Sequence, residues 1–239
     1  MASTSQTGYV SNDAESQWTP PDTSSRPVAV LGGGPRGRKI ACSWLAAGYK
    51  VILRGTNQER KETSARCIEK QLKAYEKLSG KQADLNDFDT VLHVGEAVKD
   101  AWLVVKSVPD MELFQNRDMV IASQQAPKDC ILACDSSPDK SRRMLDALNA
   151  DSRRRVCIAR YKKLPDNNNV ELMAWSDTHA NIIPFLQTKL QDAGLQPAIA
   201  VKEIPTDAVS KEPKEPKEPE HPPEEISLPG INPLNIYEK

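Results

Sequence analysis

The sequence predicts an α/β fold with a doubly wound, mostly parallel sheet and disordered N- and C-terminal tails. Between residues 27 and 203, short apolar runs alternate with amphipathic ones. Strand–helix–strand repetition calls for crossover connections and parallel pairing. A glycine-spaced loop joins the first apolar run to the first helical one. The two ends differ in composition. Residues 1–26 are rich in Ser and Thr and poor in apolar side chains, which predicts disorder. Residues 204–239 form a Pro/Lys/Glu-rich tail containing "KEPKEPKEPEHPPEE". Proline at every third position there forbids a continuous helix and favours polyproline II. The tail reads as a stiff spacer or as a docking motif for a protein partner, with "ISLPGINPLNIYEK" supplying apolar side chains that grip a surface.

The elements follow in order. "PVAVLG" is a short strand, apolar throughout, and "RGRKIACSWLAAG" is a helix with Ile40, Trp44 and Leu45 on one face. "KVILR" is the second strand. "NQERKETSARCIEKQLKAYEKLSG" is a long amphipathic helix whose inward stripe is Ile68, Leu72, Tyr75 and Leu78. Then come the strand "TVLHV", a short "GEAVKD", the strand "AWLVVKSV", a helix through "MELFQNRDMVIASQQA" and the strand "CILACDSS". "PDKSRRMLDALNA" is helical, and "RRVCIARY" and "NVELMAW" are strands. "SDTHANIIPFLQTKLQDAG" is a helix capped at Asp177 or Thr178, and "QPAIAVKE" closes the set.

Composition narrows the function. The chain has 239 residues, 38% of them hydrophobic, enough for one sizeable core. A net charge of −1 gives no bulk attraction to nucleic acid or an anionic membrane. No run approaches the roughly 20 apolar residues of a membrane span. The start "MASTSQTGYVSNDAESQWTP" lacks the basic and apolar segments of a secretory signal, so a cytoplasmic location is expected. Cys42, Cys67, Cys130, Cys134 and Cys157 are scattered, mostly in apolar runs, and read as reduced core thiols. Cys130 and Cys134 flank "CILAC" with no histidine near, so no metal site is predicted.

The loop "LGGGPRGRK" carries the first functional signal. Gly32, Gly34 and Gly37 satisfy G-x-G-x-x-G, after a strand and at the start of a helix. Gly32 permits the tight turn, Gly34 lets the backbone approach a diphosphate, and Gly37 allows helix and strand to pack closely. The helix N-terminus adds positive potential. The layout is Rossmann-like, and the expected cofactor is NAD or NADP. Pro35 fits the first helical turn but removes an amide donor. Arg36, Arg38 and Lys39 either add charge near the phosphates or are solvated. An NAD site carries an acid at the end of the second strand for the ribose hydroxyls. That position is Gly55 here, with Arg54, Thr56, Asn57 and Arg60 around it. A cation attracts a 2′-phosphate, so Arg54 and Thr56 lean the prediction toward NADP. The other reading is a relict loop that keeps the fold without binding.

The order and spacing of "VAVLGGGPRGRKIA", "AAGYKV", "AWLVVKSVPD", "CILACDSSPDKS", "RRRVCIARY" and "VELM" resemble the NAD-binding domain of the 3-hydroxyacyl-CoA dehydrogenases. That family also contains lambda-crystallin, and the resemblance covers about residues 27–203. It implies that a histidine takes the proton from a substrate 3-hydroxyl and that a following glutamate orients it. Glu171 matches the glutamate, and Arg160 stands in the place of the histidine. Arginine keeps its proton, with a pKa above about 12, so it is no general base near neutral pH. The resemblance reads Arg160 and Glu171 as an ion pair replacing the catalytic dyad. Ser137 matches a substrate-contacting serine, Asp135 replaces an asparagine, Lys106 replaces an acid near the nicotinamide, and Lys163 replaces an asparagine. The Thr-Pro-Gly-Phe run that opens the family's C-terminal helical domain is replaced by "KEIPTDAVSKEPKEP". That domain closes the active site and builds a dimer in the family, so a half-walled cleft is expected and a homodimer stays open.

The expected function is a 3-hydroxyacyl-CoA dehydrogenase-like NAD(P)-binding oxidoreductase domain of fatty acid metabolism. Its substrate would be an acyl thioester or a related hydroxy or keto compound. Catalysis is impaired or altered, because Arg160 stabilises negative charge on a carbonyl oxygen but removes no proton. Arg160, Glu171 and Ser137 are the candidate catalytic residues. Gly32, Gly34, Gly37, Arg54, Thr56 and Lys106 are the candidate cofactor contacts. Two alternatives stand beside this reading. One is a non-catalytic nucleotide sensor or scaffold, a pseudoenzyme. The other is a lyase or cyclase using Asp135, Asp110 or Glu171.

Overall fold

The computed structural model describes residues 18–55, 57–107 and 112–200. The elements are β1 (Val28–Leu31), α1 (Pro35–Ala46), β2 (Val51–Arg54), α2 (Gln58–Ser79), β3 (Phe88–Val91) and α3 (Val94–Val98). They continue with β4 (Leu103–Lys106), α4 (Glu112–Gln125), β5 (Ile131–Cys134), α5 (Pro138–Asp146), α6 (Ala150–Arg153) and β6 (Val156–Tyr161). The last are β7 (Asn169–Ala174), α7 (Ile182–Asp192) and β8 (Gln196–Ile199). All eight strands join one sheet in the order β3-β2-β1-β4-β5-β6-β7-β8. Neighbours pair parallel except at β6–β7, which is antiparallel. The winding direction reverses between β1 and β4, and the crevice outside the carboxyl ends of those strands is where such sheets bind ligands.

Helices cover both faces, which explains why β1, β4 and β5 are apolar almost throughout and fully buried. One core joins Val30, Leu53, Val105 and Ala133 to Ile40 and Trp44 of α1, Ile68, Leu72 and Tyr75 of α2, and Leu186 of α7. The other joins Leu31, Val104, Leu132 and Ile158 to Ala97 of α3, Met119 of α4 and Met144 of α5. Four cysteines lie within these cores and Cys67 is half-buried. Burial raises the thiols of Cys42 and Cys130 to about 12 and that of Cys134 to about 11. Buried Arg155 donates to the carbonyls of Ser123, Pro127 and Cys130, which ties the end of α4 to the start of β5.

The structure departs from the sequence expectations at four places. Residues 18–26, expected to be disordered, are packed: Trp18 is buried, its indole N–H donates to Asp129 O at 2.8 Å, and its ring meets Phe185 edge-on. Arg26 grips the Asp129 carboxylate with both terminal nitrogens, at 2.6 and 2.9 Å. One tryptophan and one arginine therefore outweigh the polar composition of this segment. The strand expected around "TVLHV" sits earlier, so that His93 precedes α3. The helix expected from Asp177 or Thr178 begins at Ile182. Thr178 instead closes a turn, accepting from Trp175 N and donating to Val156 O. Leu78, the last residue of the predicted stripe on α2, is exposed. The tail from residue 204 onward lies outside the described residues, and no helix among those described is long and apolar enough to cross a membrane.

Candidate functional site

The glycine loop forms as its spacing predicts. Gly32 has φ +141°, a conformation that side chains rarely tolerate, and this turns the chain out of β1. Gly37 lies in the first turns of α1, where an added Cβ would come 1.8 Å from Gly32 O, so helix and loop touch backbone to backbone. Gly34 caps α1 in extended conformation, and a Cβ there would meet open space. Pro35 occupies the first turn of α1, where a missing N–H leaves no intrahelical bond unmade. The open face at Gly34, beside the positive end of α1, fits a diphosphate.

Around this loop the expected adenosine contacts are altered. Gly33 packs against Gly55, its notional Cβ 3.3 Å from Gly55 Cα, and its carbonyl accepts from the buried Ser64 hydroxyl of α2. The position expected to be acidic thus offers backbone only. Arg54, expected to meet a 2′-phosphate, is engaged elsewhere: Nε donates to Leu92 O and Nη1 pairs with Asp118 of α4 at 3.0 Å. The handle for an NADP preference is therefore already in use. Thr56 and Asp110 lie outside the described residues.

The carboxyl ends of β4, β5 and β6 make the other side of the crevice. Ser107 N donates to Leu31 O and Asp135 N to Lys106 O, which extends the parallel ladder by one residue at each strand end. The Lys106 side chain is buried, with Nζ 4.0 Å from Met144 Sδ. Asp135 has a fully buried carboxylate. It accepts from Ser107 Oγ at 3.1 Å, from Tyr161 N at 3.0 Å, and from Nε and Nη2 of Arg36. Arg36 Nη2 also donates to Tyr161 O. Burial raises the Asp135 pKa, and the Arg36 hydrogen bonds oppose that rise. The same hydrogen bond to Asp135 raises the Arg36 pKa. Sequence reasoning weighed Arg36 and Asp135 separately and missed this pair. The available signal was two opposite charges, one in the glycine loop and one just after a strand, both placed by the topology at one crevice.

On β6 and β7, Arg160 and Glu171 are directly opposite in register. Arg160 Nη1 and Lys162 Nζ both meet Glu171 Oε2 at 3.1 Å. The ion pair expected in place of a base is formed, with a second cation added. Ser137 lies at the N-cap of α5, where its side chain makes no cap hydrogen bond, and its carbonyl accepts from Ser141 N and Oγ. His179 accepts from Asn181 N, and its ring lies tilted beside Trp18, with centroids 6.0 Å apart. Neither His93 nor His179 stands at the β6–β7 pair.

Two cavities sharing Lys39 adjoin the glycine loop. One, of about 230 Å³, is lined by Arg36, Lys39, Lys162, Lys163 and Leu164 among others. The second, of about 540 Å³, is lined by Lys39, by Lys70, Lys73, Tyr75 and Lys77 of α2, and by Pro165. The Tyr75 hydroxyl is buried and has no hydrogen-bond partner among the described residues. No group of three or more His, Cys, Asp or Glu side chains among those residues could hold a metal ion.

A glycine loop at the switch point of a doubly wound sheet defines a dinucleotide-binding type of domain. Residues 27–204 match the family described as 3-hydroxyacyl-CoA dehydrogenase, NAD binding domain, and the chain belongs to that family. No curated protein matches the sequence. Among solved structures, it is similar to a diketoreductase (TM-score 0.66, 23% identity, 75% of this chain and 65% of the other). It is also similar to FadB2 of M. tuberculosis (0.64, 19%, 73% and 63%) and to a 3-hydroxybutyryl-CoA dehydrogenase of Escherichia coli K12 (0.63, 19%, 73% and 38%). The chain thus spans less than two thirds of the length of each of these structures.

Proposed function

We propose that this protein is a nicotinamide-nucleotide-binding domain that takes an acyl-thioester-class ligand and has lost the family's base-assisted oxidation. The observation that carries this reading is the Arg160–Glu171 pair beside an intact glycine loop. A nicotinamide, when bound, supplies or accepts hydride. Oxidising a hydroxyl also needs a group to take its proton, and a permanently charged guanidinium does not serve. Arg160 stabilises an oxygen that gains negative charge, so whatever chemistry remains runs toward reduction of a carbonyl. Arg54, held by Asp118, gives no ground for preferring NADP, so NAD and NADP stand equal on the residues described.

The ligand class comes from the lysine-lined cavities. Lys39, Lys70, Lys73 and Lys77 leave a trough beside the glycine loop that suits a polyphosphorylated group, such as the nucleotide end of a coenzyme A thioester. Buried, reduced cysteines fit a reducing compartment such as the cytoplasm. The non-catalytic reading is favoured by one observation: Glu171 Oε2 is held by two cations, Arg160 and Lys162, so the carboxylate orients no base at the pair.

The test is a pair of assays at 340 nm, one with 3-hydroxybutyryl-CoA and the oxidised cofactors, one with acetoacetyl-CoA and the reduced ones. The expected result is no oxidation and slow reduction, below about 1 per second. Oxidation at a rate typical of enzymes, roughly 1 to 1,000 per second, would overturn the reading.

A further inference from the structure

We propose that the Arg36–Asp135 pair is a latch that sorts nucleotides: it leaves a ligand of the adenosine-diphosphate class undisturbed at the glycine loop and weakens, without preventing, the seating of the nicotinamide-bearing half of a dinucleotide. This rests on the reading of the glycine loop as a nucleotide site.

The first ground is position. Arg36 stands in the first turn of α1, directly after the glycine loop, and Asp135 directly follows β5. In the sheet, β4 lies between β1 and β5, so the guanidinium reaches across the carboxyl end of β4. Ser107, which follows β4, donates to the same carboxylate. In a doubly wound sheet the diphosphate sits at the first helix N-terminus, with the adenosine on the β2 side and the second half of a dinucleotide over the opposite strands. Those strands are β4 and β5 here. The diphosphate position is clear, since Gly34 faces open space. The second half meets Arg36 and Asp135.

The second ground is how firmly the latch is held. The Asp135 side chain is fully buried and has four donors: two nitrogens of Arg36, the Ser107 hydroxyl and the Tyr161 amide. Arg36 is tied down twice, to Asp135 and to Tyr161 O, while 53% of its side chain remains exposed. Swinging Arg36 away strips a buried carboxylate of its counterion, which is costly. The latch therefore resists displacement by a ribose or an amide, neither of which brings a positive charge to replace the guanidinium.

Asp135→Asn tests this. The amide keeps the volume: its oxygen still accepts from the Tyr161 amide, its NH2 donates to the Ser107 hydroxyl oxygen, and Arg36, with no carboxylate to hold it, is then free to turn to solvent. Calorimetric titration of wild type and variant with ADP and with NADH gives four affinities. The latch predicts ADP affinities within roughly twofold of each other and NADH bound about tenfold more tightly by the variant. Equal NADH affinities, or weaker NADH binding by the variant, would overturn the latch and leave the nucleotide site standing. Failure of both proteins to bind either ligand would overturn the nucleotide site itself, and the latch with it. Should Asp135→Asn not fold, the double variant Arg36→Met with Asp135→Asn removes both charges and carries the same predictions.

Discussion

The glycine loop and the β6–β7 strand pair build their sites from different parts of the chain. In the loop, function rests on backbone: Gly32 turns the chain, Gly34 faces open space, and Gly37 lets α1 touch the loop. At the strand pair, the site rests on side chains, those of Arg160 and Glu171. Arg160 and Glu171 face each other across the antiparallel register and are bound as an ion pair. A backbone-built site survives wherever its glycines survive. In a site built from side chains, one substitution is enough to change the chemistry while the fold stays intact.

That contrast breaks most visibly at Gly37. In Gly37→Val the side chain runs into Gly32 O, and backbone cannot give way as a flexible side chain would. Overpacking of this kind costs about 3 kcal/mol or more. Urea unfolding should show that loss, together with loss of nucleotide binding. At the strand pair the expected effect is small. Glu171→Gln removes the shared acceptor of Arg160 and Lys162, but all three side chains are about a third exposed or more. Solvent screening limits the change in unfolding free energy to under about 1 kcal/mol. A loss of several kcal/mol in Glu171→Gln would show that the pair is structural in the same sense as the loop.

Local pattern carried the fold and much less of the site. The apolar strands, α1, α2 and the glycine loop were legible because each is written within a few consecutive residues. The start of α7 was not, because Thr178 bonds to Val156 O, a tertiary contact that overrides its capping propensity. Trp18 belongs to the core through Asp129 and Phe185, both far along the chain. The same holds in the crevice. Arg54 looked like a phosphate ligand by its place in the sequence, yet Asp118 holds it. Arg36 and Asp135 are 99 residues apart, and only the sheet order brings them together. Arg160 and Glu171 could be paired from the sequence because a known family supplied their register.

The most direct test of the central claim, that the glycine loop still holds a nucleotide, is calorimetric titration of the full chain with NAD, NADH, NADP and NADPH. The account predicts saturable binding, in the micromolar range to within about tenfold, lost in Gly37→Val. No binding of any of the four, with ADP also silent, would contradict it and leave the loop as a structural remnant.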